Sequence, residues 1–162
     1  MTEDEELVAA VRTHGWQAIS ISDCDPPFLY SVGLSETFSH PEVIVFGLPA
    51  NNAYRLIADL VEGLRKGLRF DISGTSKAEV FATEVGFRPV DETQHPLYIG
   101  YAMGFCRLVG VRLKAMQVFW PDSKGKFPFE TNCEERCYTL QPRLDIPLTS
   151  SESDEYRWMD DV

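Results

Sequence analysis

Histidine is scarce in this chain of 162 residues: there are three, His14, His40 and His95, and no two of them stand at metal-ligand spacing. A histidine-built metal centre is therefore not indicated. Cysteine is scarce too. Of Cys24, Cys106, Cys133 and Cys137, only the last two are close together, and no second short-spaced pair completes a zinc set. In a reducing compartment the four are most simply free thiols. Cys24 has no base near it in sequence, so a thiol nucleophile has little support. Glycine-rich loops of P-loop or dinucleotide-binding spacing are missing, as is Gly-x-Ser-x-Gly. No apolar run approaches the roughly 20 residues that span a bilayer. Basic charge is the last shortage. Fifteen Lys and Arg stand against 25 Asp and Glu, a formal net charge of −10, and the bases are scattered. Nucleic acid and anionic membrane surfaces both demand clustered cations, so neither is expected as a partner.

What is present is ordinary for a globular domain: 44% hydrophobic and 25% charged residues, in a length that suits one core. The acids gather at the ends. The opening Met-Thr-Glu-Asp-Glu-Glu lacks the positive start of a signal peptide, which points to the cytoplasm. The closing stretch is acidic and serine-rich. The expected organisation is one globular domain over 1–148 and a flexible acidic tail over 149–162, in which Trp158 and Met159 are apolar exceptions that could dock on a surface.

The chain is organised around Phe28–Pro49. In its first half Phe28, Tyr30, Val32 and Leu34 alternate onto one face of a strand, with Leu29, Ser31 and Gly33 on the other. Its second half, Val43–Leu48, is apolar at every position and reads as a central strand covered on both sides. Before it, Thr2 and Glu5 fit a capping box for a helix over Glu3–His14, stopped by Gly15. Trp16–Ser22 reads as a strand, so an antiparallel meander of three strands is expected.

After it, Ala53, Ile57, Leu60, Val61 and Leu64 form one apolar stripe on a helix over Asn52–Lys66, with Asn51 or Asn52 as cap. Arg69–Ser73 reads as a short strand and Gly74–Lys77 as a loop. Val80–Val85 and Phe87–Val90 read as extended around a bend or bulge at Gly86. A short helix opening at Pro96 fits His95–Cys106. Leu108–Trp120 reads as one or two strands, with Met116, Val118 and Trp120 on one face, and Pro121–Lys126 as a turn. The fold class is α+β: a mainly antiparallel sheet, with closure into a split-barrel-like arrangement as one outcome, and two or three surface helices.

Two places could carry chemistry. At the His40-Pro41-Glu42 corner an imidazole, a carboxylate that would raise its pKa, and the hydroxyls of Tyr30 and Ser31 make an acid–base set. Alternatively His40 caps a loop, Glu42 is solvated and Tyr30 is core. Around Trp120-Pro121-Asp122, a flat indole with the directional groups of Gln117 and Asp122 suits a small-molecule pocket. The bland alternative is a hairpin in which Asp122 bonds the turn backbone and Gly125 supplies the unusual φ. Asp71–Ser76 could hold an anion on backbone N–H groups, though a plain turn explains it as well.

Pro27-Phe28-Leu29-Tyr30-Ser31-Val32-Gly33-Leu34, His40-Pro41-Glu42, Val45-Phe46-Gly47-Leu48 and Gln117-Val118-Phe119-Trp120-Pro121-Asp122 with Phe127-Pro128 together resemble the bacterial family called domain of unknown function 4262. The resemblance runs from about Gly15 to Pro142 and implies that these motifs share one domain; it brings no activity with it. The element order is also similar to flavin-binding split barrels. That likeness implies a flavin as a possible cofactor and a homodimer as a possible assembly. No flavin-contact motif can be matched residue by residue.

Three functions follow. One is a small-molecule or cofactor-binding domain, enzymatic or not, whose pocket joins Tyr30, His40 and Trp120. The second is an acidic interaction module that regulates or neutralises a basic protein. The third is a structural domain without chemistry.

Overall fold

The computed structural model describes residues 2–72, 75–76 and 84–155. Helix α1 (Glu3–His14) starts as its capping box requires: Thr2 Oγ1 accepts from Glu5 N at 3.1 Å. It buries Leu7, Val8 and Val11. Strands β1 (Gln17–Ile21) and β2 (Phe28–Val32) follow. A short helix α2 (Leu34–Phe38) leads to β3 (Glu42–Phe46), then the long helix α3 (Ala50–Arg65). The two-residue β4 (Thr75–Ser76) and β5 (Val85–Pro89) come next. A 3-10 turn (Glu92–Gln94) precedes α4 (His95–Tyr98) and α5 (Gly100–Val109). Strand β6 (Ala115–Phe119), α6 (Glu135–Leu140) and α7 (Ser150–Glu155) are the last of the described elements.

The sheet order is β1-β2-β3-β6-β5-β4. The expected meander is present, with β1 and β2, and β2 and β3, antiparallel. The centre departs from it: β3 pairs with β6 in parallel, Glu42 opposite Ala115. β5 then runs antiparallel to β6. The sheet is mixed, mostly antiparallel and open, with β1 and β4 at its edges. It is not a closed barrel.

Helices cover both faces, and strand alternation sorts the core between them. Phe28, Tyr30, Ile44 and Phe46 pack with Val11, Ala102 and Phe105 of α1 and α5. Leu29, Val43, Val45, Met116 and Val118 pack with Ile57, Leu60 and Leu64 of α3. Each of these large side chains, once fully buried, contributes roughly 1.5–3 kcal/mol. As expected, β3 is buried at every position. The shared face of Met116, Val118 and Trp120 is also present.

Several expectations are corrected. Leu34 does not continue the face of Tyr30; it packs on the α3 side, because Gly33 at φ 113 turns the chain into α2. Helix α3 starts at Ala50 after Pro49, with no side-chain cap from either asparagine. Gly86 sits in regular register opposite Phe119, and a Cβ there would come within 2.8 Å of Phe129 Cζ. Close packing, and no bulge, explains that glycine. The chain is helical through Val109 and extended only from Ala115, since Ala102, Phe105 and Cys106 bury at helical spacing.

Two or three helices are expected; among the described residues there are seven, with α1 and α3 as expected, the helix expected to open at Pro96 divided into α4 and α5, and α2, α6 and α7 additional. Residues 69–72 form no strand, and the remainder of that expectation, like most of Val80–Val85, lies outside the described residues. So do Trp158 and Met159. Among the described residues no helix is long and apolar enough to cross a membrane.

Candidate functional site

The end of β2, the first turn of α2 and the start of β3 meet at Glu42. Its side chain is buried, 1% exposed. Ser31 Oγ donates to Oε1 at 2.9 Å and Leu34 N at 3.1 Å. Gly33 N, Ser35 N and Ser35 Oγ donate to Oε2 at 3.1, 3.2 and 2.8 Å. All five partners are donors, the set an ionised carboxylate accepts. Burial acts the other way and pushes the Glu42 carboxyl above its ordinary value, opposed by the bonds from Ser35, Ser31 and Leu34. Chemically this is a helix cap delivered from a neighbouring strand: the first free N–H groups of α2 end on a carboxylate. Ser31 in turn accepts from Val43 N at 2.9 Å. Cys106 Sγ lies 3.6 Å from Ser35 Oγ, and burial raises its thiol pKa, which disfavours the thiolate.

His40 stands two residues away but does not join this cluster. Its Nδ1 is 2.9 Å from Pro41 O. A carbonyl only accepts, so Nδ1 carries the hydrogen. Nε2 has no partner among the described residues, although the side chain is 4% exposed. The expected rise in imidazole pKa from Glu42 is not found. Burial lowers it, with Arg69 adding to the lowering, and the bond to Pro41 O opposes both. His40 lines a cavity of about 270 Å³ with Ser35, Ser39, Val111, Arg112 and Lys114.

Tyr30 faces elsewhere. Its hydroxyl oxygen accepts from Tyr101 N at 3.2 Å, satisfying a free N–H in the first turn of α5. Burial raises its pKa. It lines a larger open cleft of about 650 Å³ between the start of α1, β2 and the α4–α5 pair, with Asp4, Phe28, Tyr98, Tyr101 and Arg107 among the other walls. Asp4 lies against the bare backbone of Gly104, where a Cβ would come within 2.7 Å of its carboxylate.

Gln117, Trp120 and Asp122 form a clasp for the C-terminal segment. Gln117 Nε2 donates to Pro142 O at 2.6 Å and its Oε1 accepts from Leu144 N at 3.0 Å. Trp120 Nε1 donates to Phe46 O at 2.8 Å, while its backbone pairs with the Gln141 amide. Asp122 accepts from Glu134 N, Lys124 N and Lys126 N. Those N–H groups, Glu134 first, hold its carboxyl below the ordinary range. Gly125 has φ 81. The bonds of Asp122 to the turn backbone and the φ of Gly125 are as the bland alternative had them, but among the described residues no strand follows Phe119 to make a hairpin; the chain runs through the turn to α6.

Tyr30, His40 and Trp120 therefore do not line one cavity. Tyr30 and Trp120 pack on opposite faces of the sheet, and Trp120 lines neither of the two cavities described. Sequence reasoning missed Tyr98, Tyr101 and Arg107; the pairing of two tyrosines one helical turn apart after Pro96 was the available signal.

An open mixed sheet with helices on both faces and a carboxylate-capped corner defines an α+β domain. The chain belongs to the family described as Domain of unknown function (DUF4262), whose model matches residues 10–134. That range holds every strand among the described residues and all seven residues singled out from sequence. No curated protein and no solved structure matches.

Proposed function

We propose that this domain binds a small molecule in the cleft between α1, β2 and the α4–α5 pair. The supporting observation is the cleft itself. At about 650 Å³ it falls within the roughly 300–1,000 Å³ of ligand sites, and its walls are aromatic with a few charges, the usual composition of such sites. Phe28 packs edge-on against Tyr98, with ring centroids 5.5 Å apart, which braces one wall. Tyr101 is 41% exposed, so it offers ring surface to a ligand. Glu3 and Asp4 on one side and Arg107 on another supply charge of both signs. A flat, largely apolar body with polar ends suits these walls. Tyr30, expected beside His40, is a wall of this cleft instead, and His40 and Trp120 do not take part.

Gly100 provides the test. It lines the cleft, and a Cβ there would meet nothing within 4 Å. Gly100→Leu should fill the cleft without disturbing the core. Ligand-observed NMR with aromatic amines, aromatic carboxylates, neutral aromatics and flavin mononucleotide is expected to find binders whose signals recover in Gly100→Leu, with Tm retained. Equal binding by both proteins, or no binder in the set, would count against the cleft.

A further inference from the structure

We propose that the ligand of the cleft between α1, β2 and the α4–α5 pair is an aromatic amine, its ammonium group held by Asp4 over Gly104; the choice presupposes that the cleft is a ligand site.

Gly104 stands in the interior of α5, where glycine costs helix stability relative to alanine. What it provides in return is room. A Cβ there would come within 2.7 Å of Asp4 Oδ1, 2.8 Å of Oδ2 and 3.0 Å of Cγ. The space left by the missing side chain is taken by this one carboxylate. Asp4 is half-buried and lines the cleft. Acids in a first turn serve the helix dipole, and α1 has four of them, Glu3 to Glu6. Asp4 is set apart from that task. Its carboxylate is turned across to α5, and no hydrogen bond or ion pair engages it among the described residues, whereas Glu5 is bound to Thr2 in the capping box.

The other walls favour a cation as well. Phe28, Tyr98 and Tyr101 line the cleft, and aromatic rings attract ammonium groups through the negative potential of their faces. Glu3 lines it too. Against these stands Arg107, the one basic residue in the walls. It lies three residues beyond Gly104 on the same helix and is exposed, so its charge is better screened by water and salt than that of half-buried Asp4. An aromatic acid could reach Arg107 only by bringing its own charge near Glu3 and Asp4. A neutral aromatic would take the rings and leave the carboxylate unused. An alkyl amine is protonated at neutral pH, since the lysine ammonium titrates near ~10.4. It can engage Asp4 and lay its ring against the aromatic walls together. The net charge of −10 draws ligands of the same sign.

The experiment titrates the full chain, at pH 7 and constant ionic strength, with phenylethylamine, phenylpropionate and phenylpropionamide, three probes alike in body and different in charge, read by ligand-observed NMR. The amine is expected to bind about tenfold more tightly than the acid, with the amide between them. Asp4→Asn keeps the shape of the side chain and should remove most of that advantage. Gly104→Ala should remove it as well, by pushing the carboxylate off its seat, while Tm holds or rises because alanine suits a helix. Arg107→Gln deletes the opposing cation and should bind the amine at least as tightly. The two readings fail separately. If binding is lost in Gly100→Leu but the acid binds as well as the amine, or the amine's advantage survives in Asp4→Asn or Gly104→Ala, the cleft stands and the amine proposal is overturned. If no probe binds, or Gly100→Leu binds them all unchanged, the cleft reading falls and takes the amine with it.

Discussion

The corner at His40–Glu42 and the clasp at Gln117–Asp122 look alike in sequence: each offers a flat ring, an acid and neighbouring polar side chains. They differ in what those atoms do. In the clasp, both ends of the Gln117 amide, the indole N–H and the Asp122 carboxylate are all engaged by backbone groups. In the corner, Glu42 is equally engaged, but His40 keeps one buried nitrogen without a partner among the described residues. Residue type nominates a site; the state of its hydrogen bonds decides whether it holds the fold together or is free to hold something else. The distinction can be broken experimentally, because engaged groups should cost stability when removed and unengaged ones should not.

The largest loss is expected for Glu42→Ala. It would leave the N–H groups of Gly33, Leu34 and Ser35 without their acceptor. Each unsatisfied buried group costs about 1–3 kcal/mol, so a loss of at least ~3 kcal/mol should appear in urea unfolding. A wild-type midpoint would show that water replaces the carboxylate and that the corner is looser than its geometry. Gln117→Ala comes next, at about 2–4 kcal/mol, since Pro142 O and Leu144 N both lose a buried partner. This variant should leave the imidazole of His40, held on Pro41 O, unmoved by NMR. If its resonances shift, the two regions are coupled and the contrast between them fails.

The histidines give a smaller, pH-dependent effect. Burial lowers the pKa of both His40 and His95. Each therefore binds its proton less readily in the folded chain than the unfolded ~6.5. Stability is fully kept above that value and falls as pH drops below it, because the unfolded state then holds more protons. His95 has its own backbone bond, to Val90, and Nε2 without a partner among the described residues. Unfolding curves between pH 7 and pH 5 should show a flatter acid limb in His95→Gln.

The smallest effect is expected for Arg112→Ala. Its pair with Glu92 is exposed, and the midpoint should move by no more than about 0.5 kcal/mol. A larger shift would mean that the cation has a structural task after all.

Much of the frame was legible because it rests on local periodicity. The capping box of Thr2 and Glu5 and the stripe from Ala53 to Leu64 locate α1 and α3 to within two residues. The alternation of Phe28, Tyr30 and Val32 assigns one face correctly. What was hidden depends on distant partners. The parallel pairing of β3 with β6 leaves no mark in either strand's own pattern. The turn at Gly33 sends Leu34 to the opposite face, and α2 is too short for a periodic stripe, its first N–H groups capped by a residue farther along the chain. The site was half legible for the same reason. Tyr30, His40 and Trp120 are noticeable residues, but their meeting depended on faces and strand ends that only pairing fixes. Leu108 illustrates the converse: it reads as strand by type and is an exposed helical residue, at 54% exposure.

The parallel junction of β3 and β6 also has a kinetic consequence. The β1–β2–β3 meander joins sequence neighbours, whereas Glu42 meets Ala115 only after the whole of α3 and α5 has been threaded between them. Contacts of high sequence separation close late, because their loop entropy must be met first. Glu42 N donates to Lys114 O at 2.9 Å across this same junction. The wall that brings Arg112 and Lys114 to His40 is thus expected to be among the last parts of the molecule to assemble, so burial of the His40 imidazole would report a chain that has finished folding.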